Sequence, residues 1–543
     1  MGSKQNEGVI GNKLTGFTTT RDVPVPMRDG LKLAANLYRP NAEGKYPVVM
    51  AFTGFGKDVY WDERFFGFGK GYEPWSPTLV KNSITFEAND PAFWCNYGYI
   101  LMIVDPRGFN RSPGTRPLAE IDGPPGEEAI MHEGRWARDM YDAIEWAAVQ
   151  PWCNGAVALS GVSILGFSQW RVAAMNPPHL KAFDPWEAMI NFHQDCQFPG
   201  GIPETKFTRP GGLITNVFEP AWEAPENEDP PKPEPMHEDD FLAQIKVPAL
   251  ICCNWMDAGC HSRGSLKGYR KISSRYKWLY THGRSKWAVF YSSEARVLRK
   301  MFFDHFLKGN DDRILSLPRV QLAIMEDMDT YTTRWEKDYP IPGLQPTKYF
   351  LDPDGSLSAR PLKKVGEVTY DPEKDFARFI INFKKDTELI GPSALKLWVS
   401  TSDSDDMDLF VTLRKFNREG MEVRFDSVVT PENYTVTIGW MRVSLRELDA
   451  VSTPLEPLQK DVIGKGKRLK SGEIVPVEIP VWPAGVLFRK GEKLQIEVAG
   501  KYRSGEKLPW QEYYYDELRN KGTHTIHCGS RYDSYFLANL NGK

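Results

Sequence analysis

The chain has 543 residues, 68 Lys and Arg against 71 Asp and Glu, and a formal net charge of −3. That length exceeds what one hydrophobic core usually serves, so two or three domains are expected. The balanced charge excludes a nucleic-acid groove, which needs a clustered excess of Lys and Arg.

The N-terminal stretch MGSKQNEGVIGNKLTG has no apolar run of signal-peptide length, and nowhere do about 18 apolar residues follow one another. A soluble, cytoplasmic protein without a membrane partner is therefore expected. The 7 cysteines lack metal-ligand spacing and suit a reducing compartment.

In chain order, the apolar runs Pro47 to Phe52, Tyr99 to Val104, Ala156 to Leu159, Val247 to Cys252 and Lys277 to Tyr280 alternate with helical patterns. Near-continuous apolar strands separated by crossover helices predict a parallel sheet buried on both faces. This α/β core takes in residues 1–184 and 246–315. Between the two parts, residues 185–245 break the rhythm with a Pro/Glu-rich stretch carrying Trp186, Phe192, Phe198, Phe207, Phe218 and Trp222, and predict an inserted helical or irregular lid. From 345 to 543, period-two segments such as Leu395 to Val399, Leu409 to Leu413 and Leu494 to Val498 predict an antiparallel jelly-roll sandwich.

The chemical signal is the run Ala156 to Trp170, a strand, a sharp turn and a helix, in which Gly161, Ser163 and Gly166 form a G-x-S-x-x-G elbow. Such a turn lifts a serine hydroxyl above the sheet and aims the following amide, that of Ile164, at a developing oxyanion. Serine needs a base, and the base an orienting carboxylate, in the order Ser, acid, His at the ends of successive strands. Asp257 follows the fourth run, and His282 follows the fifth. His282 is the expected base; His261, four residues after Asp257 at a helix start, competes with it. No Walker loop, G-x-G-x-x-G or His/Glu metal cluster occurs, so neither cofactor nor metal is expected.

These features resemble the cocaine-esterase-like hydrolases (CocE/NonD), which include X-Pro dipeptidyl-peptidases. The resemblance is carried by Val25 to Leu33, by the D-x-R-G-x-x-x-S-x-G loop Asp105 to Gly114, and by Asp142 to Trp146 with Gln150, Pro151 and Trp152. Further along it is carried by Phe302 to Gly309 and by the W-x-R-x-S-x-R segment from Trp440. It implies an α/β-hydrolase fold with a C-terminal jelly roll, Ser163 as nucleophile and Asp257 as acid, acting on a small-molecule acyl substrate; the family often forms homodimers. The family's oxyanion tyrosine falls at Phe55, which has no hydroxyl, so a backbone amide in the 54–57 loop, Lys57 or Tyr60 must substitute. The family histidine falls at His282 or at Ser285, and Ser285 cannot act as a base. Trp186, Trp255 and Tyr60 are expected around the substrate. Serine-dependent hydrolysis of an ester or amide is the leading expectation. The alternatives are acyl transfer, X-Pro dipeptidyl-peptidase action using Glu223, Glu226, Glu228 and Asp229, and a catalytically weak binding protein.

Overall fold

The computed structural model describes residues 16–60, 84–114, 135–208, 238–425, 435–503 and 515–542. The first half builds one twisted sheet from β1 (Phe17–Pro26), β2 (Lys32–Pro40), β3 (Tyr46–Phe52), β4 (Ile100–Val104), β5 (Cys153–Val162), β6 (Leu180–Trp186), β7 (Ala249–Asn254), β8 (Lys277–His282), β9 (Val320–Met325) and β10 (Tyr331–Glu336). The spatial order is β1-β2-β4-β3-β5-β6-β7-β8-β9-β10, antiparallel among β1, β2 and β4 and between β9 and β10, and parallel elsewhere. The central strands are buried on both faces because the helices Arg135–Ala148, Ile164–Ala174 and Ser262–Lys271 run between them, which is why their sequences are apolar without alternation.

Parallel register lines up the carboxyl ends of the strands. Val162 pairs with Trp186, Trp186 with Cys252, and Asn254 with His282. The residues immediately beyond, among them Ser163, Glu187 and Asp257, therefore emerge along one edge, where this class of fold builds its sites.

Several sequence motifs fix the loops at that edge. Asp105 accepts from the Lys57 and Arg111 amides at 2.7 and 3.2 Å, tying the loop after β3 to the loop after β4. Arg107 forks onto Asp139 at 2.7 and 2.9 Å and pairs with Asp29. In the Phe302 to Gly309 segment, Asp304 gathers the Tyr99 hydroxyl and the Lys300 and Lys308 ammonium groups.

The second half is an antiparallel sandwich. Thr387–Thr401 pairs with Val475–Phe488 on one side and with His524–Cys528 and Tyr535–Gly542 on the other. In the facing layer Lys493–Ala499 lies between Phe376–Asn382 and Asp408–Phe416, and Thr437–Arg442 pairs with the last of these. The W-x-R-x-S motif is structural: Arg442 forks onto buried Asp408 at 2.7 and 2.9 Å, and Ser444 donates to Asp406 at 2.7 Å.

The two halves meet closely. Trp255, fully buried after β7, donates its indole N–H to Ala323 O on β9 at 2.8 Å and lies against Gly485 of the sandwich. A Cβ at Gly485 would come 2.4 Å from the indole nitrogen. The described part of the lid docks on the sandwich: at Gly200, with φ +62, a Cβ would sit 2.2 Å from Trp440 O, and Gln459 donates to Gly200 O at 3.1 Å. Among the described residues no helix is long and apolar enough to cross a membrane.

Trp255→Ala removes the wedge and leaves Ala323 O without its donor, so it is expected to cost about 3–5 kcal/mol. Denaturant titration read by circular dichroism checks this. A lowered midpoint agrees with the wedge, and an unchanged midpoint contradicts it.

Candidate active site

Ser163 sits between β5 and the helix Ile164–Ala174 with φ +58 and ψ −118, a conformation that a residue with a Cβ adopts only under constraint. The constraint is visible. Its N–H donates to Trp186 O at 3.0 Å, and its carbonyl accepts from Gly166 and Phe167 at 3.0 and 2.7 Å. Both elbow glycines are needed for space: a Cβ at Gly161 would lie 2.5 Å from Leu165 Cβ, and one at Gly166 would lie 3.1 Å from Ala188 Cβ and from Gly161 O. Ile164 opens the helix, so its N–H has no carbonyl one turn back and points from the positive end of the dipole.

The histidine beside the hydroxyl is His261, not the expected His282. Ser163 Oγ lies 3.1 Å from His261 Nε2, and His261 Nδ1 lies 2.5 Å from Asp257 Oδ2. Asp257 and His261 occupy a single turn after β7, closed by His261 N–H to Asp257 O at 3.3 Å, so the spacing of four puts both side chains on one face. His282 is committed elsewhere. Its Nδ1 accepts from the Arg284 amide at 3.3 Å and its Nε2 faces Glu187 Oε1 at 3.0 Å, which occupies both ring nitrogens away from Ser163. Ser285, the other position of the family histidine, is the N-cap of the short helix Lys286–Phe290.

The site is charged and buried. Asp257, His261, His282, Glu187, Glu87 and Lys286 are all buried, whereas Ser163 retains some exposure. Burial works against the Asp257 carboxylate, but His261 and then Lys286, whose Nζ is 3.7 Å away, outweigh it and hold Asp257 below the usual carboxylate range. Burial also opposes a charged His261; the Asp257 carboxylate, followed by Cys260, prevails and raises the imidazole above its usual range. Lys286 shows the same pattern, with burial overcome by Asp257, Glu187 and Glu87, and is raised. Glu87 is pushed up to about 7 by burial, partly offset by Lys286 and by the Trp287 indole, which donates at 3.1 Å. Glu87 also touches the elbow, its carbonyl accepting from the Val162 amide at 3.1 Å.

Other expected residues fall in different places. The Phe55 N–H donates to Thr53 Oγ1 at 3.2 Å and its ring packs edge-on against Phe86, so its main chain lies on the loop beside β3 while its ring is hydrophobic packing. The Lys57 ammonium is held by Asp22 and Asp58 at 2.7 and 2.6 Å. The Tyr60 hydroxyl lies 3.3 Å from Asp58, under the Arg21 guanidinium. Both groups are therefore engaged with carboxylates of the β1 and 54–60 segments. Trp186 and Trp255, expected at the substrate, are both fully buried: Trp186 packs on Tyr280, Phe290 and Arg299, and Trp255 is the interdomain wedge. Phe218, Trp222, Glu223, Glu226, Glu228 and Asp229 lie outside the described residues.

Sequence reading passed over Glu87, Glu187, Lys286 and Cys260. Only Cys260, adjacent to His261, carried a local signal. Among the described residues two groups, Glu187 with Cys252 and His282, and Asp257 with Cys260 and His261, bring ligand-type atoms within 4.8 Å of one another. In both, the imidazole is already bonded to a carboxylate, so a cation would have to displace that bond.

Residues 29–230 match the X-Pro dipeptidyl-peptidase (S15 family), and residues 314–537 match the X-Pro dipeptidyl-peptidase C-terminal non-catalytic domain. The chain is 26% identical over 408 residues to the cocaine esterase of Rhodococcus sp. (strain MB1 Bresler), a match covering 63% of this chain and 64% of that protein's length. An α-amino acid ester hydrolase, 19% identical over 99% of this chain and 98% of its own with a TM-score of 0.67, shares the fold. A CocE/NonD family hydrolase from Staphylococcus aureus is 36% identical, with a TM-score of 0.83 over 96% of this chain and 94% of that one. With that identity sustained across both halves, the chain belongs to the CocE/NonD hydrolase family.

Proposed function

We propose that the protein is a serine hydrolase that cleaves a carboxylic ester through an acyl-enzyme on Ser163, with His261 as base and Asp257 as its orienting acid. The observation that carries this reading is the unbroken chain of contacts from Ser163 Oγ through His261 to Asp257, at 3.1 and 2.5 Å. It supports attack on an acyl carbon because a serine hydroxyl is a poor nucleophile unless a base takes its proton as the new bond forms.

In this mechanism His261 Nε2 accepts the Ser163 proton as Oγ attacks. The negative charge that develops on the carbonyl oxygen meets the Ile164 N–H and a glycine amide, that of Gly54 or Gly56, in the loop following β3, since the Phe55 N–H is taken by Thr53 Oγ1. That glycine amide stands in for the missing tyrosine hydroxyl at Phe55. The imidazolium, stabilised by Asp257, then protonates the departing alcohol. Water attacks the acyl-enzyme by the same route in reverse, with His261 again as base. Dry surroundings strengthen each of these interactions.

A short p-nitrophenyl ester should give a burst of p-nitrophenol followed by slower turnover. Ser163→Ala and His261→Ala should each lower kcat by about 10⁴-fold or more, because the groups act as a unit. His282→Gln should lower it by about tenfold or less, since His282 only braces Glu187. The reverse ranking of the two histidine variants contradicts the assignment.

The rate should also depend on pH in a particular sense. Only neutral His261 can accept a proton, and Asp257 favours the charged form, so activity grows as pH rises through a midpoint above the ordinary histidine value of about 6.5. Asp257→Asn removes the stabilising charge and should move that midpoint down while lowering the rate about 10⁴-fold. A midpoint at or below the ordinary value in the parent, or no shift in the variant, contradicts the Asp257–His261 coupling.

A further inference from the structure

The proposed base has a second neighbour that the ester mechanism does not use. Cys260 Sγ lies 3.4 Å from His261 Nε2, the same nitrogen that faces Ser163, and 3.9 Å from Cys196 Sγ. Cys196 belongs to the tight turn His193–Gln197 of the lid, whereas Cys260 precedes the helix Ser262–Lys271. The two segments are held in place independently of their sulfurs: Arg263 on that helix pairs with Asp195, next to Cys196, at 2.6 Å. All 7 cysteines are buried, and Cys260 has an imidazole within hydrogen-bond reach, at 3.4 Å, to take its proton.

We propose that Cys196 and Cys260 are a peroxide-responsive thiol pair whose disulfide fastens the lid turn beside His261 and withdraws that histidine from Ser163. Burial disfavours a charged sulfur, yet the Cys196 thiol and His261 overcome it and lower the Cys260 thiol from its usual value. Cys95, Cys153, Cys196, Cys252, Cys253 and Cys528 are all raised by burial. Nucleophilicity toward a peroxide follows thiolate character, so Cys260 is the attacking sulfur and Cys196 the resolving one.

The steps balance. The Cys260 proton passes to His261, and the thiolate attacks one oxygen of hydrogen peroxide or an organic hydroperoxide, forming an S–O bond as the O–O bond breaks. The leaving hydroxide or alkoxide takes the proton from His261 and departs as water or alcohol. The Cys196 thiol then attacks the Cys260 sulfenic acid, the S–S bond forms, and hydroxide leaves with the Cys196 proton as water. Two thiols lose two electrons, and one peroxide bond gains them. The sulfurs must close from 3.9 Å to about 2.05 Å. That shift draws Cys260, and His261 with it, toward the lid.

The structural part of this proposal stands apart from the Ser163 reading; only the effect on turnover rests on it. Reduced full-length protein is treated with a slight excess of hydrogen peroxide, quenched in acid, and mapped by proteolysis and mass spectrometry. The expected result is a peptide linking Cys196 to Cys260, an intact mass lower by about 2 Da, and ester turnover reduced at least tenfold and restored by dithiothreitol. Cys196→Ser should form no such link, and its Cys260 should instead accumulate as sulfenic acid trapped by dimedone. A peroxide-treated protein whose Cys196 and Cys260 stay reduced overturns the proposal, as does a linked protein that keeps full turnover. Protein that is inert before treatment yet forms the link counts against the Ser163 reading and not against the thiol pair.

Discussion

The hydrogen bond between Asp257 and His261 is made within one turn of chain and shut away from water, and the rest of the site is arranged around it. Because Asp257 and His261 are four residues apart, the end of β7 delivers both together, with no contribution from the following strand. The parallel register then only has to bring the elbow after β5 to that turn. The elbow is held in a conformation costing roughly 1–3 kcal/mol by the Trp186 carbonyl and the two glycines. Glu87 and Glu187 also have positive φ, at +62 and +46, so three residues with side chains are held in the left-handed region around this one site.

Such a bond in a dry setting demands charge compensation. Asp257, Glu187 and Glu87 bring three carboxyl groups into one buried region; Lys286 supplies a positive charge, His261 a second when protonated, and burial pushes the Glu87 carboxyl up, easing its neutral form. Breaking a buried ion pair leaves an uncompensated charge and costs several kcal/mol. Lys286 is therefore part of what permits Asp257 to remain ionised without water. His282 joins the same network by bracing Glu187, whose other oxygen accepts from Asn254 at 3.1 Å.

The fold was legible from sequence because its signals are local and redundant. Continuous apolar runs marked β3, β4, β5, β7 and β8, and alternation marked the sandwich. The turn at Ser163 is legible because a strand, a glycine-flanked turn and a helix leave few other readings, and the position of Asp257 at the same edge because it follows a strand. Strand-end order points to His282, whereas the histidine beside Ser163 is His261, which the i, i+4 spacing from Asp257 places on the same turn. Trp186 and Trp255 were misplaced for a different reason: an aromatic residue near an elbow looks the same in sequence whether it lines a cavity or fills one, and these two fill the sheet and the domain junction. Tyr60 and Lys57 are spent on Asp58, their neighbour in the loop after β3, and Lys57 also on Asp22 of β1, a partner that spacing does not reveal. Glu87 comes from a distant turn and Lys286 from the start of the helix Lys286–Phe290, and neither position is marked by a strand end.

The crystal structure of the protein inactivated by an alkyl fluorophosphonate tests the central claim most directly, because the phosphonyl group imitates the tetrahedral intermediate. The account predicts phosphorus bonded to Ser163 Oγ, its free oxygen accepting from the Ile164 amide and from an amide of the loop after β3, and His261 Nε2 within hydrogen-bond distance of the ester oxygen while His282 stays on Glu187. A structure in which His282 has left Glu187 to face the phosphonate, or in which phosphorus is attached to any other residue, would contradict it.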